Sequence, residues 1–193
     1  MFAELLRERA RSVADLPSKQ LIALEWHYQL MLKWNKVLNL TRITDEVEAV
    51  ERHYFESLFL ASHVPAGAQR LADVGSGAGF PGIPVAVLRP DCEVTLIESH
   101  QRKAVFLREA ARELPNVRVL TKRAELVDGG FDWFTSRGVS YEDLAPAVDK
   151  LASSALLLTG EEAAPEDWKW AWRAIAVPGR RATYLRIGHK PGV

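Results

Sequence analysis

The chain of 193 residues has a single cysteine, Cys92, and only two methionines. One thiol makes no internal disulfide and cannot supply a cysteine zinc site. The five histidines (His27, His53, His63, His100, His189) show no HxxxH or HExxH spacing, so no metal is expected. There is no run of about 18 apolar residues, which excludes a membrane-spanning helix. The opening MFAELLRERARSV is charged throughout and lacks the apolar core of a signal peptide, so the expected compartment is the cytoplasm. Net charge is missing as well: 25 basic residues balance 25 acidic ones. Taken alone, that zero speaks against a nucleic-acid partner, because phosphates ask for positive charge. What is present is globular composition, 48% hydrophobic and 26% charged. A chain of this length buries roughly 70% of its unfolded surface and needs no metal or disulfide to stay folded.

Two textures divide the chain, giving an expected helical extension over 1–64 and a second domain over 65–193. In the first, Ser18 is placed to cap a long helix with Leu21, Leu24, Tyr28 and Leu32 on one face. That helix should stop within WNKVLNLT, where Asn39 and Thr41 favour loop conformations. Thr44 or Asp45 caps the next helix, with Val47, Val50, Tyr54 and Leu58 as its apolar stripe. After VPAG (64–67), short apolar runs alternate with amphipathic helices. Strands are expected at 71–75, 93–98, 116–120, 131–136 and 154–160, then at 173–177 and 182–187. Such alternation implies an α/β fold whose seven-stranded sheet is mostly parallel, with helices on both faces.

The densest signal is LADVGSGAGFPG (71–82). A strand ends at Val74, and Gly75, Gly77 and Gly79 follow at alternate positions. Glycines there permit positive φ and let a ligand approach the backbone. The next strand ends at Glu98, where a carboxylate accepts the hydroxyl hydrogens of a ribose. Gly77 and Gly82 have P-loop spacing, but Ile83 stands where the phosphate-binding Lys belongs, which rejects a nucleotide triphosphatase. GAGFPG also fits GxGxxG. Asp73, however, would repel a pyrophosphate, while it suits a cofactor with a charged amino group. S-adenosylmethionine has an ammonium, a sulfonium and no phosphate, and it is the favoured ligand. Another nucleotide cofactor, or a tight turn with no ligand, stays open.

The acceptor is less legible. After the fourth strand the chain reads FDWFTSRG (131–138), without the Asn/Asp-Pro-Pro-aromatic motif of amino-group methylation. Cys92 opens the second strand, far from where an RNA carbon-5 nucleophile is needed. Both absences favour an acceptor that is already nucleophilic. Guanine N7 is one, with an in-plane lone pair and no proton, so alignment and water exclusion would suffice. Oxygen and small-molecule acceptors remain open on this reasoning.

KWNKVLNLT (33–41), Arg52-His53 with Ser57-Leu58, DVGSGAGFPGIP (73–84), TLIES (95–99) and TSR (135–137), in this order, resemble the bacterial ribosomal RNA small-subunit methyltransferase G family, also called glucose-inhibited division protein B. The resemblance implies a Rossmann-like class I S-adenosylmethionine-dependent methyltransferase fold with an N-terminal helical extension. It implies N7 methylation of one guanine of 16S rRNA, in the loop near the decoding site, with S-adenosyl-L-homocysteine as product. By position, it puts Gly75 and Phe80 at the cofactor, Glu98 at its ribose and Ala124-Glu125 beside its adenine. Arg137 would border the methyl-transfer pocket and, with Asn39 and His53, be catalytic there, Thr41 would flank the pocket too, and Arg123 and Arg181 would contact RNA. Two other readings compete with it: a small-molecule methyltransferase, and an inactive RNA-binding module on the same fold. The family pattern has alanine after the TSR arginine, where this chain has Gly138, and GEEAAPEDWKWAW (160–172) matches nothing in it. Trp168, Trp170 and Trp172 suit packing on a helix or sheet better than stacking on bases. His53, near an apolar face, equally fits a core histidine.

Along the chain the balanced charges separate. Residues 101–123 hold seven basic side chains against Glu109 and Glu113, and 171–193 hold five with no acid. Arg102 and Lys103 open the first of these runs as candidate RNA contacts. A polarised neutral protein still offers phosphates one positive face. The expected partner is therefore 16S rRNA or the 30S subunit, met by a monomer.

Overall fold

A computed structural model describes residues 1–192. The N-terminal stretch forms α1 (Phe2–Ala10), α2 (Ser18–Leu38), α3 (Glu46–Ala49) and α4 (Glu56–Ala61), the last two joined by a π-helical turn, Val50–Phe55. Strands β1 (Arg70–Val74), β2 (Glu93–Ile97), β3 (Val117–Leu120), β4 (Trp133–Arg137) and β5 (Ser154–Thr159) follow. Helices α5 (Gly82–Leu88), α6 (Gln101–Ala110) and α7 (Tyr141–Leu151) lie between them. Strands β6 (Ala171–Ala176) and β7 (Tyr184–His189) complete a seven-stranded sheet in the order β3-β2-β1-β4-β5-β7-β6. Pairs among β1 to β5 are parallel, and β7 runs antiparallel to both β5 and β6. All seven expected strands are present.

The sheet has a core on each face. Side chains alternate along a strand, so Leu71, Leu96, Leu156 and Leu158 join one cluster while Ala72, Val74, Ile97 and Leu157 join the other. The first cluster runs without a break into the N-terminal helices and includes Phe2, Leu6, Leu24, Met31, Tyr54 and Leu58. Each fully buried apolar side chain of this size contributes about 2 kcal/mol, so these helices are bound tightly to the sheet. The second cluster holds α7 with Trp168 and Trp170. Trp170 stands edge-on to Phe134 at 6.1 Å between centroids and stacks on Trp172 at 5.7 Å. The tryptophans therefore pack.

Three expectations about the helices meet corrections or choices. Ser18 does not cap α2: Pro17 holds the cap position, and its carbonyl accepts the N–H groups of Gln20 and Leu21. Of the two candidates for the next cap, Asp45 is the one used, accepting the Glu48 N–H at 2.9 Å. Val50, Tyr54 and Leu58 are buried, but Val47 is 56% exposed. The π-helical turn adds a residue to the helical run and rotates its N-terminal part out of phase with the stripe.

Candidate functional site

Strand order reverses between β1 and β4, and in open α/β sheets a ligand crevice forms outside the strand ends at such a point. Here the loop after β1 faces the loop after β4. Gly75, Gly77 and Gly79 all have positive φ, of 71°, 54° and 91°. Their surroundings differ. A Cβ on Gly75 would stand 2.5 Å from Val139 Cγ2, and one on Gly79 would stand 2.7 Å from Ile83 Cδ1. On Gly77 the nearest atom would be the Gly75 carbonyl oxygen, 3.7 Å away. Two of the three glycines thus answer to the protein's own packing, and Gly77 is the one that leaves room for a ligand.

Two carboxylates flank this loop. Glu98 is buried and accepts the Gly77 N–H at 3.0 Å and the His100 N–H at 2.8 Å, which leaves further lone pairs on its oxygens. Asp73 projects from the β1 face that carries Leu71, toward α5, where its Oδ2 accepts the Gly82 N–H at 3.1 Å. Its Oδ1 is buried with no partner. Burial pushes the Asp73 carboxyl up to about 7.

At the end of β4, Arg137 gathers groups from the N-terminal helices. It donates to the Arg52 carbonyl and, at 2.5 Å, to His53 Nδ1. It lies 3.6 Å from Glu56 Oε2, and its guanidinium stands 5.5 Å from the centre of the Phe80 ring. An arginine only donates, so His53 Nδ1 is an acceptor and Nε2 carries the hydrogen, which it gives to Thr41 Oγ1 at 2.8 Å. The His53 ring stacks on Phe80 at 4.6 Å. Burial, reinforced by the Arg137 charge, lowers the His53 pKa to about 2, so the ring is neutral. Beside this cluster lies a cleft of about 390 Å³ lined by Arg52, Glu56, Arg137, Tyr141 and Arg180 among others.

The other expected site residues lie around this centre. Ala124 and Glu125 form a short 3-10 turn after β3, with Glu125 3.5 Å from Arg123. Arg123 is exposed, as is Arg102, which donates to the Val37 carbonyl, and Lys103 is half-buried. Asn39 is not brought to the Arg137 cluster. It caps the C-terminus of α2 in the left-handed conformation, φ 49°, and lines a separate hollow with Thr41 and Arg42. Arg181 is exposed and does not line the cleft. Its neighbour Arg180 does, and donates to Glu56 Oε1 at 2.8 Å. Arg180, Glu56 and Val139 went unread in the sequence. Glu56 left a faint signal, an acid set among Tyr54, Phe55 and Leu58; its burial and its pairing with two arginines are seen only in the structure. Cys92 is at the opposite end of the sheet, and burial raises its thiol to about 11.

Among the described residues no helix is long and apolar enough to cross a membrane, and no group of three or more metal-ligating side chains occurs. A family model described as rRNA small subunit methyltransferase G (GidB) matches residues 20–166. The chain is 43% identical to ribosomal RNA small subunit methyltransferase G of Chromobacterium violaceum over 142 residues, 72% of this chain and 68% of that protein. It is 41% identical to the protein of the same name from Xanthomonas euvesicatoria, covering 68% and 63% of the two chains. The aligned region thus spans about two thirds of these relatives' length. Among solved structures, magnesium protoporphyrin IX methyltransferase of Synechocystis, with SAM bound, superposes with a TM-score of 0.61. Its identity is 10%, over 85% of this chain and 97% of that one. A SAM-dependent methyltransferase of Aquifex aeolicus gives 0.57 at 15% identity, over 73% and 92%. At these identities the likeness is one of fold, the Rossmann-like class I methyltransferase sheet.

Proposed function

Because the chain belongs to the rRNA small subunit methyltransferase G family, we propose that it transfers a methyl group from S-adenosylmethionine to N7 of a guanine of 16S rRNA, in the loop near the decoding site. S-Adenosyl-L-homocysteine is then the second product. The observation that carries the reading is the strand reversal, with the open Gly77 and the Glu98 carboxylate after β1 and β2 and, after β4, Arg137 at the cleft and Val139 against Gly75.

The residues present fit the cofactor. Glu98 keeps lone pairs for ribose hydroxyls, Gly77 leaves backbone space, and the unpartnered Asp73 Oδ1 suits a nearby positive charge. Gly75, Gly77, Gly79, Phe80, Glu98, Ala124, Glu125 and Arg137 would hold it. When bound, S-adenosylmethionine supplies a methyl group on a positively charged sulfur. The chain's own part is to align the acceptor and exclude water. A hydroxyl acceptor needs a base, and neither His53 nor Glu56 beside the cleft is free to serve as one. Both His53 nitrogens are engaged, and both Glu56 oxygens face arginines. That agrees with N7, which has no proton to lose. His53, expected as catalytic, here holds Arg137 in place. Arg137 borders the reacting base, and Asn39 shapes the segment that carries Thr41. Arg102, Lys103, Arg123 and Arg181 supply the positive rim for RNA. Residues 1–64 serve as a helical extension of the 65–193 domain, and the protein acts as a cytoplasmic monomer.

The test is methylation of 30S subunits, and separately of naked 16S rRNA, from cells lacking this modification. Labelled S-adenosylmethionine is used, and the modified nucleotide is mapped by mass. Label on one guanine N7 is expected; label elsewhere, or only on small molecules, defeats the reading.

A further inference from the structure

His27 has no place in the cleft. It sits on α2, fully buried, 51 residues from the loop it touches. Both of its nitrogens are engaged. Nε2 lies 2.9 Å from the Ala78 carbonyl, which can only accept, so Nε2 carries the hydrogen. Nδ1 is then the acceptor, and the buried Tyr54 hydroxyl of the π-helical turn donates to it at 2.9 Å. Burial lowers the His27 pKa to about 4, consistent with a neutral ring.

The group it holds is the peptide between Ala78 and Gly79. The other end of that peptide is pinned as well, since the Gly79 N–H donates to the Ser76 carbonyl at 2.6 Å. Gly77 and Gly79 flank Ala78, both at positive φ and without side chains of their own to fix the backbone. The ring reaches the loop because Gly79 has no Cβ; one built there would stand 3.0 Å from Nε2. His27 and Tyr54 also meet Phe80 edge-on, at 5.1 and 5.0 Å.

From this geometry we infer that His27, set in its tautomer by Tyr54, is a positioning residue of the cofactor site: it fixes the Ala78–Gly79 peptide, and cofactor affinity depends on a side chain from α2. The inference rests on the S-adenosylmethionine reading of the loop. A leucine at position 27 fills similar space but leaves the Ala78 carbonyl and the Tyr54 hydroxyl without partners, so the peptide is held only at its Gly79 N–H. A glutamine can give its N–H to Ala78 and accept from Tyr54.

The experiment is calorimetric titration of the full chain with S-adenosylmethionine, alongside thermal melts and the amide resonance of Gly79. His27→Leu is expected to weaken binding about tenfold, the cost of one lost buried hydrogen bond, and to move the Gly79 resonance. His27→Gln should restore binding to within about twofold of the parent, which a role in stability alone would not require. Should His27→Leu not fold, Tyr54→Phe decides: it keeps the ring and removes only the hydroxyl, and severalfold weaker binding is expected. Parent-like affinity in the leucine or phenylalanine variant overturns the inference, as does a glutamine variant no better than leucine. A parent that binds no S-adenosylmethionine overturns the cofactor reading, and the inference falls with it.

Discussion

Arg137 is bound on three sides by the N-terminal helices, yet its removal leaves little charge stranded, because Glu56 keeps Arg180. Arg137→Ala should therefore lower kcat/KM for methylation by tenfold or more while moving the melting temperature by only a few degrees. Methylation assays paired with melts check this, and a variant as active as the parent refutes the role. Protonation gives a second prediction. His27 and His53 have folded values of about 4 and about 2, below the ordinary 6.5, so the unfolded chain takes up protons first as pH falls. Their contribution to stability is whole above 6.5, and each loses about 1.4 kcal/mol by pH 5.5. Asp73 acts in the opposite sense: its folded value of about 7 lies above the ordinary one, so acidification toward 4 favours the folded state. In the parent the two effects offset each other in part. Asp73→Asn should expose the histidines, giving a steeper loss between pH 7.5 and 5.5 in urea titrations; an unchanged slope counts against it. At this scale a residue's place in the fold is legible where a motif surrounds it, as with Arg137 at the end of β4 and Glu98 just after β2. The sequence is silent where a contact spans distant segments, as for His27 with Ala78 or Arg180 with Glu56.

Among elements, the loop after β1 separates two kinds of glycine. Gly77→Ala meets nothing closer than 3.7 Å, so its structural cost is the left-handed strain, about 1 kcal/mol. Its main effect should fall on S-adenosylmethionine affinity. Gly75→Ala would press on Val139, 2.5 Å away, and should lower the melting temperature further. Titration and melts of both variants test the contrast, which fails if both lose stability equally. The strands and most helices were legible because their apolar periods are regular and their ends carry Gly, Pro or Asp. The π-helical turn was not: the residue it adds leaves no mark in composition, and its effect appears only as Val47 turned outward. Nor does spacing alone reveal which glycine serves the protein and which the ligand, since that depends on Val139 arriving from the loop after β4.

Across the whole molecule, the proposed RNA substrate has to be met by local charge, because the net charge is zero. Arg52, Arg137 and Arg180 line the cleft, with Arg102 and Arg123 exposed after β2 and β3. Binding to 30S subunits should weaken steeply with salt. A double variant, Arg123→Glu with Arg181→Glu, should weaken it further at low salt without changing S-adenosylmethionine affinity; filter binding and calorimetry read the two effects apart. The sheet order adds a matter of timing. Strand β7 is inserted between β5 and β6, although the ribosome makes it after both. Until it emerges, β5 ends the sheet with an unpaired edge, β6 has nothing to join, and the cleft wall carrying Arg180 and Thr183 cannot set. The wall of the proposed acceptor cleft is thus completed by the β6–β7 hairpin, in a part of the chain made after the strands β1, β2 and β4 that carry the glycine loop and Arg137.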